Sequence, residues 1–385
     1  MRDRATPRGN VYPVDIAPYR FQTCDGRFLA GVASALSTIG IPARGRTQAA
    51  PRLTLGGIPF NISTPIYAEA TDAWKAEGLD VDVQIFQAGP MVLEGILANS
   101  LPAGDAGYIP ALHRIVRGAP LIFCAADGYA TKDHPWDRLL VRADSPYHSL
   151  KDLAGKSIGV VARGTVQDIL LGVAAKVNGM KKSDFQIVVV PTAAMPVALK
   201  EKQIDAVYTN SPSDVVMELQ GIARHLLDTT DFLPYMTYGG LIVSERWAEQ
   251  NPQQAIKLIK GWISAGRWIN ANGAEARAVA TRALKLQPDV GAKQRIVRWP
   301  MNGRPMMPNL WMTYNMMIEI DAIKPVVDPK GMMQRHFIEP TLKYTNAALR
   351  ELGELPDPET ERLAKSSLPY LDGSIEQYLG PWERT

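Results

Sequence analysis

The sequence predicts an α/β protein of two similar lobes, each a mostly parallel sheet flanked by helices, with two crossings of the chain between them. Three observations carry this. From Leu53 onward, short apolar runs alternate with amphipathic segments, the pattern of strands exchanging with helices. The plan then repeats about 100 residues later, far too long a period for a solenoid. Both copies contain Asp-Ala-x-Tyr, at Asp105-Ala106-Gly107-Tyr108 and Asp205-Ala206-Val207-Tyr208.

In the first copy, 53–57 reads as a strand, 65–77 as a helix, 81–86 as a strand and 91–99 as a helix. The Asp105 motif, a helix over 110–117 and a strand over 120–126 complete it. In the second copy, 157–161 is a strand, 166–178 a helix, 185–190 a strand and 195–200 a helix, ahead of the Asp205 motif. Each first helix ends on a glycine, Gly78 and Gly179, the residue best suited to a left-handed cap. A helix over 211–219 and strands over 224–227 and 240–244 follow.

Beyond Glu245 the pattern is helical. Ile256, Ile259, Trp262, Ile263, Trp268 and Ile269 fall at helical spacing within 252–272. No third α/β unit exists for these helices to cover, so they are expected back on the first lobe. That gives crossings near 133–140 and 228–240. The expected division is 51–135 plus 240–352 for lobe 1 and 136–239 for lobe 2, with 353–385 an extended, proline-containing tail.

The chain has 385 residues, 21% of them charged, and a net charge of +3. With no Lys/Arg run, this excludes an electrostatic nucleic-acid partner. Residues 1–50 read as an export region, expected to be removed. A short apolar stretch, Phe28 to Ala43, follows Arg27, and the small pair Ala49-Ala50 precedes the folded pattern. The segment 26–31 resembles a twin-arginine signal but carries a single arginine. Cys24 lies ahead of the stretch, so it is not a lipidated cysteine.

Metal and nucleophile motifs are absent from the sequence. The histidines at 113, 134, 148, 225 and 336 show no HExxH or His/Cys ligand spacing, and neither GxSxG nor a Walker P-loop occurs. Cys124, inside an apolar strand, reads as a buried structural thiol. No cofactor, metal or catalytic residue is expected.

In open parallel sheets, ligands sit beyond the carboxyl ends of the strands, where helix N-termini offer unpaired N–H groups. Four such corners occur in pairs, and if the lobes face each other all four face one cleft. The first contains Phe60, Asn61, Ser63 and Thr64, the second Gly89 and Pro90. The third contains Arg163, Gly164, Thr165 and Val166, the fourth Asn210 and Ser211. Ser63, Thr64, Thr165 and Ser211 suit either ligand contact or simple helix capping. Phe60 suits stacking or the core. Arg163 suits pairing with an anionic group or a solvated surface position. Tyr238, at the return crossing, is placed at the cleft near the hinge.

Residues 149–160 (SLKDLAGKSIGV), Lys202-Gln203-Ile204-Asp205-Ala206-Val207, Val243-Ser244-Glu245, Asn251-Pro252 and residues 268–272 (WINAN) together carry a family resemblance. The chain resembles the nitrate/sulfonate/taurine-type substrate-binding proteins of ABC importers, from Leu53 to about Asn272. These share a fold with thiamine-pyrimidine precursor binding proteins. The resemblance implies a hinge-bending periplasmic-binding-protein type II fold, a small solute in the cleft, a membrane permease as partner, a monomer and a periplasmic location. It also implies a basic residue at Arg163 and so an anionic solute, a sulfonate or carboxylate. The first corner, Pro59-Phe60-Asn61, is bulkier than the small polar run usual in the family. The alternatives are an enzyme on this scaffold, desulfinase-like or pyrimidine-synthase-like, or a ligand-sensing module. Both enzymes use cysteines that are absent from the corners of this chain.

Overall fold

The computed structural model describes residues 52–366 except Pro234, together with 371, 373, 377 and 378. The expected export region and Cys24 lie outside the described residues. Among the described residues, twelve strands appear in chain order: β1 (Leu53–Gly57), β2 (Val81–Ile85), β3 (Ala103–Gly107), β4 (Leu121–Ala126), β5 (Tyr129–Thr131), β6 (Asp137–Arg142), β7 (Ser157–Val160), β8 (Gln186–Val189), β9 (Ala206–Asn210), β10 (Ala223–Asp228), β11 (Tyr235–Thr237) and β12 (Gly239–Ser244).

Ten of them form two five-stranded sheets of matching design. One runs β2-β1-β3-β12-β4 and the other β8-β7-β9-β6-β10. In each, four strands run in one direction and the fourth in the order is antiparallel to both of its neighbours. The antiparallel member is the strand that has just crossed over: β6 enters the second sheet, and β12 returns to the first. The crossings themselves pair, because β5 and β11 form a two-stranded antiparallel ribbon with Tyr235 opposite Thr131 and Thr237 opposite Tyr129. The two-lobed α/β fold with two crossings is thus present. Strand β6 was missing from the sequence pattern because Asp137, Arg138 and Arg142 break its apolar run.

The repeat is real, but its apparent signature is out of register. Gly107 at the end of β3 lies opposite Gly239, and Asn210 at the end of β9 lies opposite Asp137. Leu55 pairs with Ala103 just as Ile158 pairs with Ala206. Counting from these matches, Asp105 corresponds to Tyr208, not to Asp205. Asp205 stands ahead of β9, where its carboxylate accepts from the Ser157 amide and hydroxyl at 3.0 and 2.8 Å. The two copies of Asp-Ala-x-Tyr therefore occupy different structural positions.

Two helix expectations change. The segment 65–77 is split into Thr64–Ala70 and Ala73–Ala76, because Asp72 adopts φ 53° and breaks the hydrogen-bond ladder. The tail holds the helix Pro358–Ser366 instead of a fully extended wrap, with Leu363 and Ala364 buried. The long helix Pro252–Ala271 packs on the two short helices of the first sheet, and Trp74 donates to the Leu258 carbonyl at 3.0 Å. Close packing leaves no room at Gly240, where a Cβ would stand 1.9 Å from the Ala125 carbonyl oxygen. Among the described residues no helix is long and apolar enough to cross a membrane.

Candidate functional site: a cleft between the two sheets

Every loop that leaves the carboxyl end of a parallel strand in the first sheet reaches one cavity. Ile58, Phe60 and Ile62 follow β1, and Ala88, Gly89 and Pro90 follow β2. Asp105 and Gly107 end β3, and Asp127 follows β4. The second sheet supplies Val161, Thr165, Val166 and Gln167 after β7, and Asn210 at the end of β9. Trp136, Tyr238 and Gly239, from the two crossings, close the remaining side. The cavity holds about 50 Å³, room for a few water-sized groups.

The expected site residues divide into two groups. Phe60, Gly89, Pro90, Thr165, Val166, Asn210 and Tyr238 line the cavity. Asn61, Ser63, Thr64, Arg163, Gly164 and Ser211 do not, and each has a structural occupation. Asn61 accepts from the Trp136 indole at 2.8 Å and donates to the Arg295 carbonyl at 2.8 Å. Ser63 donates to Asp105 and Thr64 to Asp127, each at 2.5 Å. The Ser211 hydroxyl accepts from the Arg295 amide at 2.9 Å. Gly164, at φ 72°, turns the chain so that its amide meets Asp168 at 2.8 Å.

Arg163 lies apart from the cavity lining. Its side chain is 58% exposed, lies 3.8 Å from Asp168, and donates to the Ile187 carbonyl at 2.8 Å. Of the two positions that suit Arg163, the structure shows the solvated one, with the left-handed Gly164 turning the corner directly after it. The argument for an anionic solute from Arg163 loses its residue.

In place of a cation the cleft has carboxyls. Asp105 is fully buried and Asp127 only 1% exposed. Burial pushes Asp105 up to about 6, tempered by hydrogen bonds with Asp127 and Ser63. Asp127 is pushed well above the ordinary carboxylate range by burial and by the Asp105 charge. Behind the cavity, burial raises Asp137 to about 7, although Gln167 donates to it at 2.6 Å. The sequence carried a signal for Asp127, an acid directly after the wholly apolar run Leu121–Ala126.

Aromatic rings form the walls. Trp136 meets Phe60 edge-on at 6.3 Å and Tyr238 at 4.5 Å between centroids. Cys124 faces none of this. It is buried within β4, where burial raises its thiol far above the ordinary range.

This cleft between mirrored sheets can be set against known proteins. Residues 46–284 match the model of the NMT1-like family. The chain belongs to the NMT1-like family. A binding protein from Brucella abortus is 27% identical to this NMT1-like chain over 234 residues, covering 59% of the chain and 69% of the relative. An aliphatic sulfonates-binding protein from Escherichia coli is 28% identical over 221 residues, covering 57% and 67%. The periplasmic nitrate-binding protein NrtA from Synechocystis PCC 6803 shares the fold, with a TM-score of 0.66 at 16% identity over 79% of this chain and 89% of that one. These relatives are named as binding proteins.

Proposed function

We propose that this NMT1-like chain is the extracytoplasmic solute-binding component of an ABC importer, closing two lobes on one small organic solute and delivering it to a membrane permease. The observation that carries the reading is the cavity, built at the carboxyl ends of strands from both sheets and bounded by the two crossings. A ligand seated there touches both lobes at once, so its binding free energy favours the closed form. The names of the relatives, as sulfonate- and nitrate-binding proteins, support capture of a small polar solute.

With this reading we place lobe 1 at 51–135 plus 240–352 and lobe 2 at 136–239, with export of the chain to the periplasm and action as a monomer. Binding without catalysis fits the position of Cys124, which is buried in β4 and outside the cleft. A thermal-shift screen of the full chain against sulfonates, nitrate, carboxylates, amines and neutral polyols tests the proposal. A true ligand at a hundred times its dissociation constant stabilises the fold by about 2.7 kcal/mol. The ligand is expected back unchanged by mass spectrometry, and turnover of it by the purified chain would overturn the binding-only reading.

A further inference from the structure

The cleft is acidic at its floor and aromatic at its walls, and none of its lining residues is a lysine, arginine or histidine. Asp105 and Asp127 bring two buried carboxyls to the ends of neighbouring parts of one sheet, and their hydroxyl donors are Ser63 and Thr64. Oδ1 of Asn210, itself only 4% exposed, receives no hydrogen bond from the protein, and Oδ1 of Asp105 has none beyond the neighbouring carboxyl of Asp127. No lysine, arginine or histidine lines the cleft to offset charge on this carboxyl pair. A buried charge without a partner is costly, by several kcal/mol in ordinary interiors. Nearby arginines are engaged elsewhere: Arg295 and Arg138 face Asp214, Glu218 and, for Arg138, Asp228.

The donors that would draw an anion are reduced as well. The helix Val166–Val177 presents its N-terminus at the cleft, but the acidic Asp168 in its first turn offsets part of the positive end of its dipole. At the helix Gly89–Leu97, Pro90 lacks an N–H. Phe60, Trp136 and Tyr238 offer ring faces and edges that suit the apolar part of an organic cation.

We propose that the cleft takes a small solute bearing a protonated amine, its positive charge set against Asp105 and Asp127, its N–H groups reaching Asp105 and Asn210, and its apolar part held between Phe60, Trp136 and Tyr238. The inference rests on the capture reading and names its ligand class. The solute supplies the counter-charge that the protein leaves out, so closure and charge compensation occur in one step.

The test is calorimetric titration of the full chain with ethylammonium and tetramethylammonium, against methanesulfonate and nitrate, all at millimolar concentration with tert-butanol as the neutral control. The ammonium probes are expected to bind one to one, with the anions and the alcohol at least about tenfold weaker. Asp105→Asn is expected to remove that preference, and Asp127→Asn provides the same reading if the first variant fails to fold. Binding of methanesulfonate or nitrate with no ammonium binding would overturn this inference and leave solute capture standing. Binding of none of the probes would overturn both.

Discussion

The indole of Trp136 packs against the ring of Tyr238 with centroids 4.5 Å apart and planes at 62°. Trp136 lies on the outward crossing and Tyr238 on the return crossing, so this contact joins the two connections just beside the β5–β11 ribbon. The same indole donates to Asn61, which in turn holds the Gln294–Arg295 segment. One side chain thus ties the hinge, the first corner and the cleft wall together. Trp136→Ala is expected to lower unfolding free energy by about 3–5 kcal/mol, the usual cost of a buried large aromatic. Urea denaturation measures the loss, and solute affinity should fall with it.

Arg163→Ala should leave solute affinity within about twofold of the parent, because the guanidinium faces solvent and the Ile187 carbonyl. Titration with whichever solute gives the largest thermal shift checks this. A large loss of affinity would restore Arg163 to the cleft.

Gly107 supports a steric prediction. A Cβ there would come within 3.1 Å of a Val166 methyl from the second sheet and 3.2 Å of Pro110. Gly107→Leu therefore places a branched side chain inside a cavity of only about 50 Å³. Affinity should drop by about tenfold or more, while circular dichroism stays unchanged because the added atoms have the cleft itself to occupy.

Asp137 gives a pH dependence. The unfolded chain releases this proton near pH 4, whereas burial holds the folded carboxyl to about 7. Between those values the folded state binds more protons, so this group's contribution to stability is present at low pH and lost as pH rises toward 7. His113, His134 and His336, held below their ordinary range chiefly by burial, slope the other way. The informative quantity is thus the difference between Asp137→Asn and the parent. Relative to the parent, the variant should gain stability from acid to neutral pH, by at most about 4 kcal/mol. Denaturation at a series of pH values reads this directly.

The α/β class, the repeat and most element boundaries were legible because they depend on periodicity, which a single sequence displays. The helix Met195–Lys200 and strand Leu53–Gly57 fall where the pattern places them. Strand β6 was hidden because its terminal charges find partners only in the fold: Arg138 pairs with Asp228 at 2.8 Å. The site was half legible. Corner positions follow from topology, so Phe60, Asn210 and Tyr238 reached the cleft. Side-chain direction does not follow, so the two positions open to Arg163 were separated only by the fold, which turns it to solvent and the Ile187 carbonyl. Asp105 and Asp127 were missed as site residues because their meeting requires β3 and β4 to lie in one sheet on either side of β12.

The central claim, a solute held between two sheets, is tested most directly by hydrogen–deuterium exchange with and without the solute that gives the largest thermal shift. Saturating solute is expected to slow exchange together in 58–62, 88–91 and 105–107 from the first sheet and in 161–167 and 210 from the second. Protection confined to one sheet, or absent from both sets of corners, would contradict the account.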